Sequence, residues 1–122
     1  MRVDIREVKQ DVIVVDLDGA LVAGVGDEVL RETMNELATS EWERILLNLS
    51  GVTRIDSAGI GELVAGIRMA QGLGCTVKLL KPEGRVASVL KLSQILPLYE
   101  IYDSEDAAIE SFATNGEAPA AG

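Results

Sequence analysis

Four short strand-like segments, the first two almost wholly aliphatic and each divided from the next by a stretch of helical period, constrain what this chain can become. Residues 12–17 are almost continuously apolar, and 45–49, 76–80 and 98–102 follow. Such runs suit strands that are covered on both faces. The segments between them read differently. Leu30, Met34, Leu37 and Ala38 fall at i, i+4, i+7 and i+8; Ile60, Leu63, Val64 and Ile67 form a second stripe, and Val86, Val89 and Leu90 a third. Strand and helix in alternation predict a mostly parallel sheet with helices as crossovers. Aromatic residues are 3% of the chain against 48% hydrophobic, so the core has to be aliphatic.

The ends complete the order. Val3 and Ile5 alternate with charged residues, as in a half-exposed edge strand, and Lys9-Gln10-Asp11 reads as a polar turn back into residues 12–17. That hairpin predicts one antiparallel edge strand. The loop at 18–26 carries Gly19, Gly24 and Gly26, and Asp27 is placed to cap the first helix. Residues 50–56 read as a turn. Gly66, inside the second helix, predicts a close packing contact. Pro82 suits the first turn of the third helix. Ser104 is placed to cap a fourth, with Glu105 and Asp106 in its first turn and Ile109 and Phe112 docking it. The expected fold is therefore α/β: one domain over residues 1–113, a mostly parallel sheet with one antiparallel edge strand, and four helices. Residues 114–122 are expected to form a disordered tail.

Charge and composition narrow the functions. Twenty acidic residues against 11 basic give a net charge of −9. Phosphate repels such a surface, so nucleic acid is not an expected partner, and an anionic bilayer is disfavoured for the same reason. No apolar run approaches the roughly 20 residues that cross a bilayer, and residues 1–10 lack the apolar centre of a signal peptide, so no membrane insertion and a cytoplasmic protein are expected. Histidine is absent, which removes Ser-His-Asp and Cys-His machinery and every histidine-bearing zinc site. Cys75 is the single cysteine and reads as a small core residue. No metal site and no catalytic residue is expected.

Two segments invite chemistry. Gly24 and Gly26 begin a dinucleotide-type pattern, but Val29 stands where the third glycine belongs, and no Lys-Ser/Thr pair follows for a phosphate loop. The second segment is Arg54-Ile55-Asp56-Ser57-Ala58-Gly59-Ile60-Gly61, which leaves a strand and opens a helix. In open α/β sheets, ligands meet the loops at the carboxyl ends of the strands. Asp56 and Ser57 both suit a helix cap, and Gly59 and Gly61 leave the first turn bare for close approach by a partner. A phosphate on Ser57 would add about −1.5 to −2 charges there. Free N–H groups at the helix start would accommodate it, so the fold would survive while a docked partner met a bulky dianion. A serine hydrolase is not expected: there is no histidine base and no Gly-x-Ser-x-Gly elbow.

Leu17-Asp18-Gly19-Ala20-Leu21, residues 45–52 and Ile55-Asp56-Ser57-Ala58-Gly59-Ile60-Gly61, in that order and spacing, resemble the STAS family, in particular the bacterial anti-sigma factor antagonists. Val77-Lys78-Leu79-Leu80, Val89-Leu90-Lys91-Leu92 and Ile101-Tyr102-Asp103 are similar too. The resemblance covers roughly residues 3–112. It implies a protein that is not an enzyme and needs no cofactor. Its partner would be an anti-sigma factor that is also a serine kinase, which phosphorylates Ser57 and is then released; a metal-dependent phosphatase would reset the switch. The implied docking surface is Leu21, Val22, Ala23 and Gly24 together with Asp56, Ser57, Ala58, Gly59, Ile60 and Gly61. Two positions depart from the family pattern: Val22 stands where many antagonists have Asp, and Ser93-Gln94-Ile95 where Thr-Gly-Leu is usual. The first departure leaves a second expectation open, a constitutive STAS subunit of a stress-signalling scaffold or of a lipid-transport ATPase.

Overall fold

The computed structural model describes residues 1–92 and 100–115; of 91–92 and 114–115 it describes the backbone alone. Five strands form one sheet in the order β1 (Arg2–Glu7), β2 (Val12–Leu21), β3 (Arg44–Ile55), β4 (Thr76–Leu80), β5 (Ile101–Tyr102). The β1–β2 pair is antiparallel and the other three pairs are parallel. Four α-helices are described: α1 (Asp27–Ala38), α2 (Ser57–Gly72), α3 (Gly84–Leu92) and α4 (Glu105–Asn115). The α/β class, the antiparallel edge and the four helices agree with the sequence reading. Residues 93–95, where the second family departure falls, residues 98–99 of the expected last strand, and 116–122 of the expected tail lie outside the described residues. Residues 114 and 115 continue α4. No helix among the described residues is long and apolar enough to cross a membrane.

Sheet order equals chain order, so each parallel crossover steps the same way. Right-handed crossovers then drop successive helices on one face. Ile13, Val15 and Leu17 of β2, Ile45, Leu47 and Leu49 of β3, and Val77 and Leu79 of β4 point to that face. They meet Leu30 and Met34 of α1, Leu63 and Ile67 of α2, and Val86 and Leu90 of α3. The opposite face is smaller: Val12, Val14, Leu46 and Leu80 pack under Ala108, Ile109 and Phe112 of α4. Gly66 lets α2 approach α1, since a Cβ there would sit 2.9 Å from Met34 Cγ. Cys75 is buried, its Sγ 3.2 Å from the Trp42 carbonyl, and burial raises its pKa, as expected of a core thiol.

Local expectations shift at the joint end of β2 and β3, at the α1 cap and at the start of α3. β2 and β3 run on together to the pair Leu21↔Ile55, through register shifts near Asp18 and Gly19, so residues 50–56 are mostly strand and the glycine loop shrinks to 22–26. Gly51 permits this: a Cβ would lie 2.7 Å from the Leu17 carbonyl oxygen. The α1 cap is Gly26, not Asp27, with a left-handed φ of 91°. A side chain there would strike the Ala20 carbonyl, so Asp27 moves into the first turn. Pro82 precedes α3, which begins at Gly84. Ser104 caps α4 as expected, its Oγ accepting from Ala107 N at 3.3 Å.

Candidate functional site

The joint overrun of β2 and β3 carries two loops to the carboxyl edge of the sheet. From Leu21 the chain enters a tight turn in which Val22 and Val25 exchange both backbone hydrogen bonds, at 2.8 and 2.9 Å. Gly24 holds φ +74° at the third position, which a type II turn requires. From Ile55 the chain passes through Asp56 into α2.

Asp56 fastens the two together. Its Oδ1 accepts from Gly59 N at 2.9 Å, closing the α2 cap, and its Oδ2 accepts from Ala23 N in the turn at 3.1 Å. These backbone N–H groups, Gly59 first and Ala23 next, hold the carboxyl below the usual carboxylate range. Asp56 is thus a charged staple at neutral pH. It also fills the anion position at the helix start, so the N3 amide that was expected to greet a phosphate is already engaged.

The predicted docking residues divide into two groups. Leu21 is fully buried and Gly59 is buried, with a Cβ at Gly59 landing 2.0 Å from the Leu21 carbonyl oxygen. These two set the distance between α2 and β2, and neither presents a surface. Gly59 is therefore not the bare spot it was read as. Gly61 is: it is exposed, and a Cβ there would meet nothing within 4 Å. Ala23, Gly24 and Ser57 are exposed, while Val22, Asp56, Ala58 and Ile60 are half-buried. Ser57 is the first helical residue, immediately after the cap.

Sequence reasoning missed three neighbours. Val25, 47% exposed, extends the turn's apolar rim. Arg85 and Val89 of α3 join Val22, Arg54, Ile55, Asp56 and Val86 around a groove of about 360 Å³ beside the α2 cap. Nothing local in the sequence brings residue 85 near 54; the parallel order of β3 and β4 does. Among the described residues, no three of Cys, Asp and Glu converge as a metal site.

Comparison with known proteins supplies the family context. Residues 5–108 match the model of the STAS domain. A Thermotoga neapolitana protein described as a candidate anti-sigma factor antagonist is 32% identical over 76 residues, which span 62% of this chain and 67% of that protein. The structure of a candidate anti-sigma factor antagonist from Thermotoga maritima has a TM-score of 0.80 at 24% identity, covering 89% of this chain and 92% of that one. The Bacillus cell fate determinant SpoIIAA in its phosphorylated form gives 0.65 at 20%, covering 87% and 96%.

Proposed function

The chain belongs to the STAS domain family, and from that premise we propose that it is an anti-sigma factor antagonist, switched by phosphorylation of Ser57. It binds an anti-sigma factor that is also a serine kinase, through the 22–25 turn and the exposed part of the first turn of α2. The observation that carries this reading is the position of Ser57: exposed, first in the helix and next to a cap that another residue supplies. Because Asp56 makes the cap, the Ser57 hydroxyl is free to change chemically without unpicking the helix start. A phosphate there adds about −1.5 to −2 charges and three acceptor oxygens at the centre of the docking surface. The core does not feel it, and the partner does.

The relatives support this reading. The Thermotoga neapolitana relative is described as a candidate anti-sigma factor antagonist, and SpoIIAA keeps this fold in its phosphorylated form. No cofactor is required of this chain, since ATP belongs to the kinase, and a metal-dependent phosphatase resets the switch. The direct test incubates the chain with its cognate anti-sigma factor and ATP and locates phosphate by mass spectrometry. Phosphate on Ser57, and a Ser57→Glu variant whose affinity for the anti-sigma factor falls at least roughly tenfold, are expected, as for loss of about 1.4 kcal/mol or more at a desolvated interface. Unmodified Ser57 together with undiminished binding by Ser57→Glu would overturn the reading.

A further inference from the structure

We propose that the groove between the end of β3 and α3 is a built-in receiver for the phosphate of Ser57, with Arg54 and Arg85 as its two cationic jaws. The inference rests on Ser57 being the modified residue and adds where the new charge goes.

The helix start offers a phosphate less than an uncapped one would. Its N3 amide, Gly59 N, already donates to Asp56, and so does Ala23 N from the facing turn. A dianion added at residue 57 therefore arrives next to a carboxylate and needs positive charge from elsewhere. Arg54 and Arg85 supply it from the groove that Asp56 itself lines. Both are exposed, and among the described residues neither makes an ion pair. Arg2, Arg6 and Arg31, by contrast, are each held by a carboxylate. Two cations against the single charge of Asp56 leave the groove net positive on a molecule of net charge −9.

Among the described residues that line the groove, Asp56 is the one acid. Glu62, along α2, is held by Arg31 at 2.7 and 3.1 Å; Asp27 and Glu28 belong to the first turn of α1 and Glu83 precedes α3, and none of these four lines the groove. The remaining lining is apolar: Val22, Ile55, Val86 and Val89. Guanidinium groups suit this role because their planar forks pair two phosphate oxygens at once. Closure of the jaws would draw α3, Ser57 and the 22–25 turn into one surface. The unmodified protein keeps the groove open.

The experiment installs phosphoserine at position 57 by genetic encoding, so that it does not depend on any kinase. The ³¹P titration midpoint of the folded protein is then compared with that of the urea-unfolded chain. The clamp predicts a folded midpoint at least about half a pH unit below the unfolded one, because neighbouring cations favour the dianion. Arg54→Ala and Arg85→Ala should each return part of the shift, the double variant nearly all of it, and Arg54→Lys should restore only part. Raising the salt concentration should erode the shift without any substitution, which keeps the test decisive should a variant fail to fold. A folded midpoint equal to the unfolded one, or one indifferent to both arginines and to salt, overturns the clamp. The two ideas fail separately: the kinase assay decides whether Ser57 is modified, and the titration decides where its phosphate rests.

Discussion

On one face of the sheet, Ile13, Val15, Leu17, Ile45, Leu47 and Leu49 lie under three helices; on the other, Val12, Val14 and Leu46 lie under α4 alone. The first face is apolar along its length and reaches its tightest approach where Gly59 meets the Leu21 carbonyl. The second turns polar beyond its small cluster. Arg6 grips Asp16 at 2.6 Å and Glu105 at 2.6 Å, and Asn48 donates to Asp16 at 2.7 Å. Lys78, only 2% exposed, reaches Ser111 and Glu100. The difference teaches that one face holds the site in place by shape, while the other fastens a single helix with polar bonds. The domain should therefore fail differently when each is damaged.

The largest effect expected is from Phe112→Ala. Phe112 is fully buried and is the largest apolar side chain of the α4 cluster. Its truncation should cost about 3–5 kcal/mol. Hydrogen exchange should show the loss concentrated in α4 and β5, with the amides of β2, β3 and α2 still protected. Uniform loss of protection would mean that the two faces fold as one unit and would break the comparison. On the first face, Gly59→Val drives a side chain into a backbone carbonyl that cannot step aside, at about 3 kcal/mol or more. Here the loss should be global by urea denaturation, and the 22–25 turn should lose its anchor. Gly61→Ala, two residues on with nothing nearby, is the control and should match or slightly exceed the native stability.

How far the sequence could be read follows the same division. The first face was legible because its elements announce themselves by period: Leu30 and Met34, Leu63 and Ile67, and the apolar strands between them. Gly66 was legible as a contact glycine because a helix interior seldom keeps one without cause. The extension of β3 to Ile55 was not legible. Ser50-Gly51-Val52-Thr53-Arg54 is polar and glycine-bearing, and only pairing with β2 makes it strand. The role of Gly59 was hidden for the same reason, since the carbonyl it faces lies 38 positions earlier. Asp56 and Ser57 were recognisable as a pair, but which of them caps the helix shows only in the bonds that Asp56 accepts from Gly59 N and, across the loop, from Ala23 N. The α4 face was hardest: nothing in Val77-Lys78-Leu79 says that the lysine will be buried.

Acid sharpens the comparison with a smaller effect, because each region carries one carboxylate held below its ordinary value of 3.8. For Asp16 the main cause is the hydrogen bond from Arg6; for Asp56 it is the backbone N–H of Gly59. A lowered folded pKa contributes stability that is complete above the unfolded value and is lost as pH falls through the folded one. Urea midpoints should thus hold from pH 7 to about 5 and fall below about 4. Asp56→Asn keeps a capping oxygen but no charge, so it should be less stable than the native chain at pH 7, with the gap closing in acid. Salt should weaken the Asp16 contribution, which is an ion pair with both partners partly exposed, more than that of Asp56, which is held by amides. Equal salt sensitivity of the two would erase the distinction between shape and charge.

Lys78→Met should do least, and its smallness is the informative result. The ammonium sits 2.8 Å from Ser111 Oγ and 2.9 Å from Glu100, and 4.7 Å from the Phe112 ring centre. Such a burial looks indispensable, yet methionine leaves no polar group stranded. Ser111 still donates to the Ala108 carbonyl at 2.6 Å, and Glu100, with its side chain 53% exposed, keeps water and the Tyr102 hydroxyl. Desolvation of the lysine offsets most of what its pairing contributes, so exchange for an apolar chain of similar length should change stability by less than about 1 kcal/mol in either direction. Lys78→Ala differs because it opens a void between Phe112 and Tyr102, and it should cost about 2 kcal/mol or more. If methionine proves as damaging as alanine, then charge rather than volume fastens α4, and the polar bonds of that face contribute more than their geometry suggests.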